Sequence, residues 1–69
     1  MDARETVGKT IRVYRVRLGL SQEELAEKAE LHRTYIGQVE RGETNISLVN
    51  LLRIAKALEV RPAKLLDRL

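Results

Sequence analysis

Residues 21–41, SQEELAEKAELHRTYIGQVER, carry the strongest structural signal in this chain. They read as a helix, a tight turn and a second helix with one apolar and one polar side. In the second helix, roughly Arg33 to Arg41, successive residues turn by about 100°. Tyr35, Ile36 and Val39 then share an arc of roughly 100°, and Arg33, Thr34, Gly37, Gln38 and Arg41 lie opposite. The outward set is not the usual solvated mixture of Glu and Lys. It holds two arginines, a hydroxyl, an amide and a glycine, with Glu40 as the one carboxylate at its edge. Arginine can bond bidentately to guanine, glutamine to adenine, and threonine can touch a thymine methyl or a phosphate. A mid-helix glycine costs roughly 1 kcal/mol against alanine, and a gap at Gly37 would let the helix sit closer to a base edge. The competing reading is a merely polar face with a tolerated glycine. The preceding helix and turn tip the balance towards a surface that meets DNA.

Ser21 with Glu24 forms a capping box that opens a short helix, about Gln22 to Ala29. Leu25, Ala26 and Ala29 face inward. Two alanines in so short a helix permit the close approach of another helix, as a helix-turn-helix requires. Gln22 sits at the first helical position, where its amide and the free backbone N–H groups could bind a phosphate. Taken by itself, a solvated helix former explains Gln22 equally simply. Glu30 and Leu31 make the turn, with Leu31 as its buried plug. His32 is the single histidine. With no second ligand candidate near it, a metal role is not expected. It starts the recognition helix on the surface, near a phosphate.

A chain of 69 residues allows one domain, residues 1–69, with a limited core. There is no cysteine, hence no disulfide and no thiolate metal site, which fits a reducing cytoplasm. No apolar run approaches membrane-spanning length, and MDARETVGKT lacks an apolar signal core, so a cytoplasmic location is expected. The net charge of +3 is only mildly basic, and its distribution is more informative. Arg4, Lys9, Arg12, Arg15 and Arg17 fall in the first helix; Glu23, Glu24, Glu27 and Glu30 fall in the next. Such segregation suits one face for polyanions and another for water. A balanced soluble surface is the competing reading on charge alone.

The remaining elements follow from caps and periodicity. Asp2 with Glu5 is a plausible capping box for a first helix running to about Leu18, with Val7, Ile11, Tyr14 and Leu18 on one face. Gly19 and Gly42 are left-handed stops after the first and third helices. Glu43, Thr44 and Asn45 form a polar loop that could lie along a backbone strand. Ser47 caps a fourth helix, about 48–58. Its apolar positions Leu48, Val49, Leu51, Leu52, Ile54, Ala55 and Leu58 span roughly 220° of the wheel, about twice a one-sided stripe. Most of these must be core; the flanks Ile46, Val49 and Leu69 are expected to reach a second subunit. Pro62 suits the first position of a fifth short helix. The fold expected is all-α, with helices at about 3–18, 22–29, 33–41, 48–58 and 62–67 and no strand.

IRVYRVRLGLSQEELAEKAEL, followed by IGQVERG and LLRIAKALEV, resembles the phage repressor and Cro family of helix-turn-helix domains, also called Xre-like. The resemblance covers about Val7 to Leu66, and the three strings in order are far more specific than any one of them. LHRTYIGQVERGETNISLVNLL is similar to controller proteins of restriction–modification systems, small dimeric regulators that bind palindromic operators. The resemblance implies that Gln22 touches a phosphate and that Arg33, Thr34 and Gln38 face bases. It implies that Tyr35 lies against the DNA backbone or a narrowed minor groove, although the wheel places it on the apolar side. It also implies that Arg15 and Glu40 form an ion pair tying the first helix to the third. His32, Arg41, Thr44 and Asn45 complete the expected backbone contacts. Two departures stand out. The family turn usually has Gly or Asn where this chain has Glu30, and controller-like loops often carry Arg where Thr44 stands. A non-glycine residue in the left-handed region costs on the order of 1 kcal/mol.

The function expected is a sequence-specific, double-stranded DNA-binding transcription regulator acting as a homodimer. Its partners would be a palindromic operator, a second copy and RNA polymerase, with no cofactor, metal or membrane. The alternative is an antitoxin or other small Xre-like regulator whose main partner is a protein bound through the fourth helix and C-terminus. Enzyme chemistry is not expected: there are no paired carboxylates in a pocket, no nucleophile with a base, and one histidine with no evident orienting partner.

Overall fold

Each of the first two helices begins where a side chain satisfies free N–H groups. The computed structural model describes residues 2–69 and contains five helices and no strand among them. Helix α1 spans Ala3–Arg17, α2 Gln22–Ala29, α3 Arg33–Glu40, α4 Leu48–Ala57 and α5 Pro62–Leu66. The Asp2 carboxylate caps α1 by accepting the Arg4 backbone N–H at 2.7 Å. It also takes the Arg4 guanidinium, at 3.2 and 3.0 Å, so the reciprocal Glu5 bond of a full box is not formed among the described residues. Helix α2 has the complete box. The Ser21 hydroxyl accepts the Glu24 N–H at 3.0 Å, and the Glu24 carboxylate accepts the Ser21 N–H at 2.8 Å. Hydrogen bonding from Ser21, first from its backbone N–H and then from its side chain, holds the Glu24 carboxyl below its ordinary value. Ser47 caps α4 through the Asn50 N–H at 3.1 Å, and Pro62 opens α5.

Four helices end in the same turn. The N–H groups of Leu20, Leu31, Glu43 and Val60 reach back five residues to the carbonyls of Arg15, Ala26, Gln38 and Ala55, at 2.9–3.1 Å. Each turn passes through a left-handed residue: Gly19 and Gly42 at φ 72°, Glu30 at 59° and Glu59 at 61°. The strained geometry expected at Glu30 is therefore present, and Glu59 repeats it at the end of α4. The residues expected to close α1, α3, α4 and α5 act as caps, one position past each helix.

The core draws from every element. Ile11, Leu25, Ile36, Ile54, Leu58 and Leu65 are its largest fully buried side chains. Helix α1 packs on α3 and α5, α2 on α3 and α4, and α4 on α5. Helix α3 is thus held from two sides by α1 and α2. Gly8 marks where α1 crosses the end of α3: a Cβ there would collide with the carbonyl oxygens of Val39 and Glu40, the latter at 2.8 Å. Three leucines depart from expectation. Leu18 does not join the inner face of α1, and Leu48 and Leu52 of α4 stand outward with Val49. Helix α4 spends its inward arc on Leu51, Ile54, Ala55 and Ala57, which leaves Leu48, Val49 and Leu52 uncovered.

Candidate nucleic-acid interface

The side of α3 that does not enter the core is floored by a buried ion pair. Glu40 was expected at the edge of the apolar arc; it is buried, its side chain 3% exposed. The Arg15 guanidinium donates to its two oxygens at 2.6 and 3.0 Å and to the Leu20 carbonyl at 2.8 Å. The Gln22 amide donates to the same carboxylate at 3.0 Å. One carboxylate on α3 therefore joins α1, the turn after it and the first residue of α2. The hydrogen bond to Glu40 raises the Arg15 pKa above its ordinary value. No buried side-chain nitrogen or oxygen among the described residues lacks a partner. Such a pair contributes little net stability but fixes orientation.

Above this floor, Arg33, Thr34, Gly37 and Arg41 of the α3 side meet Ser21, Gln22 and Glu23 of α2 around one open depression. Arg33 and Thr34 are exposed; Gln38 is half-buried and lies outside that lining. His32 is the exposed N-cap residue of α3 and makes no side-chain cap bond. Tyr35 is half-buried against the core. Thr44 is half-buried and Asn45 exposed in the loop before α4. Of the residues expected at bases or phosphates, the fold gathers Gln22, Arg33, Thr34 and Arg41 into one surface; His32, Tyr35, Gln38, Thr44 and Asn45 do not line it.

Gly37 does not form the open gap expected of it. The residue is buried: a Cβ there would lie 3.0 Å from Arg41 Nη1 and 3.6 Å from Gln22 Oε1. The missing side chain makes room for two neighbours on the same face. Because Glu40 can only accept, the Gln22 amide turns its nitrogen to it and its oxygen towards α3. The second N–H of that amide remains for an outside acceptor.

Two carboxylates not anticipated as part of the site hold its arginines. Arg33 Nη1 donates to Glu23 Oε2 at 3.1 Å. Arg41 donates through Nε and Nη2 to the two oxygens of Glu43, at 2.7 and 3.1 Å. That bond raises the Arg41 pKa and lowers that of Glu43. The Arg41–Glu43 pair is readable as arginine and carboxylate two residues apart; the Arg33–Glu23 pair, ten residues apart, exists only once α2 and α3 are folded together.

Two helices joined by a three-residue turn, packed together with the second presenting a polar face, constitute a helix-turn-helix. The helix-turn-helix family model HTH_3 matches residues 11–65, and the chain belongs to that family. It is similar to the control protein C.SmaI of Serratia marcescens, with 52% identity over 68 residues covering 99% of this chain and 81% of that one. It is similar in structure to the restriction-modification controller protein C.AhdI from Aeromonas hydrophila, with a TM-score of 0.89, 47% identity, and coverage of 90% of this chain and 94% of that one. The biofilm master regulator SinR of Bacillus subtilis, solved in complex with DNA, aligns with a TM-score of 0.84 at 39% identity, covering 88% of this chain and 98% of that one.

Proposed function

We propose that the chain is a sequence-specific, double-stranded DNA-binding transcription regulator that acts as a homodimer on a palindromic operator, in the manner of a restriction–modification controller protein. The observation that carries this reading is the open surface on which Arg33, Thr34, Gln22 and Arg41 converge, with Gln22 tied to the buried Glu40. Helix α3, eight residues long, spans about 12 Å, the width of a B-DNA major groove. Arg33, Thr34 and Gln38 would meet base edges. Gln22, His32, Tyr35, Arg41, Thr44 and Asn45 would meet the backbone on either side. The kinship with named controller proteins and with a regulator solved on DNA supports the same reading.

The dimer reading rests on α4 and the C-terminus. Leu48, Val49 and Leu52 are exposed on one side of α4, and Leu69 is 66% exposed. Ile46 is half-buried against the core, so it would border such an interface rather than anchor it. A protomer 28 Å in its longest dimension can place two α3 helices on half-sites one turn apart, which is about 34 Å. No helix among the described residues is long and apolar enough to cross a membrane. A cytoplasmic location, where operator and RNA polymerase are met, belongs to the same proposal.

Selection from a random duplex pool, paired with sedimentation of the free chain, tests it. The proposal expects an enriched inverted repeat with half-site centres about 10 base pairs apart and a chain that sediments as a dimer. A monomer that enriches no sequence would instead favour a surface made for a different protein, as in an antitoxin.

A further inference from the structure

We propose that Glu23 and Glu43 are positioning residues of the recognition surface: Glu23 aims Arg33 at the base it reads, and Glu43 aims Arg41 at the backbone it meets. The proposal rests on the DNA-binding reading and adds to it the role of two acidic groups.

Acidic side chains beside a polyanion need a reason. Every carboxylate facing phosphate weakens binding at all sequences, because it offsets charge that would release counterions. Yet Glu23 lines the same depression as Arg33, Thr34 and Gly37. Glu43 opens the loop that carries Thr44 and Asn45. Each is bonded to an arginine of the face, and in each pair the guanidinium keeps donors to spare. A guanidinium has five N–H donors in a planar fork. Arg33 gives Glu23 only Nη1, so its Nε and Nη2 edge is free to meet the paired acceptors of a guanine. Arg41 gives Glu43 its Nε and Nη2 edge. Its remaining nitrogen, Nη1, is then laid across Gly37, 3.0 Å from where a Cβ would stand, at the middle of α3. Each carboxylate can therefore stay bound while its arginine meets DNA, Arg33 at a base and Arg41 at the backbone.

The energetic case concerns order more than attraction. An arginine swinging free must freeze several torsions when it meets a base, and one already held has given up part of that freedom. In the unbound chain both pairs face water, with side-chain exposures of 71% and 69% for Arg33 and Glu23, so they hold loosely. Closing the groove over them removes water and tightens the same bonds. Glu27 offers a natural contrast: it is an exposed glutamate on α2 and takes part in none of the ion pairs among the described residues.

Positioning and plain charge predict different results for the same substitution. The native chain is titrated with its enriched duplex, with a duplex altered at the base pair that Arg33 reads, and with random duplex. Glu23→Ala should bind random duplex more tightly, yet its preference for the enriched over the altered duplex should fall about fivefold or more, part of what one bidentate contact supplies. Glu27→Ala should leave that preference unchanged. In an Arg33→Ala background, Glu23→Ala should change the preference no further, which is the signature of coupling. Glu43→Ala should lower affinity for enriched and random duplex alike, and do so no longer in an Arg41→Ala background; tighter binding to both would mean that Glu43 acts only as a charge. A preference untouched by Glu23→Ala, or lost to the same degree with and without Arg33, would overturn the proposal. A native chain that selects no duplex would remove the DNA-binding reading itself, and this inference with it.

Discussion

Replacing Glu40 by alanine would remove the acceptor on which three helices converge. Arg15 would lose its bonds at 2.6 and 3.0 Å, and Gln22 its bond at 3.0 Å. The guanidinium keeps its bond to the Leu20 carbonyl, but its side chain is only 11% exposed, so water can replace little of the rest. Removing one partner of a buried pair costs about 3–5 kcal/mol. The bond that Arg15 retains argues for the low end, about 3 kcal/mol. A chain of this length has only about 3–10 kcal/mol in total, so the variant should approach the edge of folding. Urea denaturation followed by helical circular dichroism reads this directly. With a slope of about 1 kcal/mol per molar, the midpoint should fall by about 3 M. The double variant Arg15→Met/Glu40→Leu should recover most of that loss, because hydrophobic replacement of a whole buried pair is often neutral or better. Its DNA affinity should stay low, since the tie that orients α2 and α3 is gone. A midpoint shift below about 0.5 M for Glu40→Ala, or a double variant no more stable than the single, would refute the reasoning.

Three further outcomes follow from the packing and the turns. Gly8→Ala should destabilise by about 1–3 kcal/mol despite its better helix propensity, because its Cβ meets the backbone carbonyls at the end of α3; a gain in thermal midpoint would contradict this. Glu30→Gly and Glu59→Gly should each stabilise by up to about 1 kcal/mol, raising the thermal midpoint by a few degrees, whereas a fall at both would show that neither left-handed turn is strained. The carboxyls of Asp2, Glu24 and Glu43 are all held low, by the Arg4 side chain, the Ser21 backbone and the Arg41 side chain in turn. The folded chain therefore binds fewer protons at these sites than the unfolded one. Their contribution is complete above the ordinary carboxyl range and is lost as pH falls through the lower folded values. The thermal midpoint should drop as pH falls below about 4.5, and less so for Glu24→Gln, while a midpoint flat down to about pH 3 would contradict the assignment.

The helices were legible because their ends are written in local chemistry. Ser21 and Glu24, Ser47, Pro62, Gly19 and Gly42 each act within one turn of the position they mark. Glu59 was not legible: it continues a helical pattern and differs from Glu30 only in lacking a family turn for comparison. The exposure of Leu18, Leu48 and Leu52 was hidden because an apolar stripe does not say which part of its width finds a partner. At the candidate site, periodicity identified the outward residues of α3 but not what covers them. Gly37 looks like a gap until Arg41 and Gln22 are seen to fill it. Glu40 looks like an edge charge until α1 and α2 close on it. These features depend on residues far apart in the chain, which no local pattern encodes.

The most direct test of the outward face of α3 compares Arg33→Ala with the native chain on two duplexes, the one enriched by selection and one of scrambled sequence. The account predicts a loss of about 1–3 kcal/mol in binding to the enriched duplex and a much smaller loss on the scrambled one. Equal losses on both would mean that Arg33 meets only phosphate and that the face does not read bases.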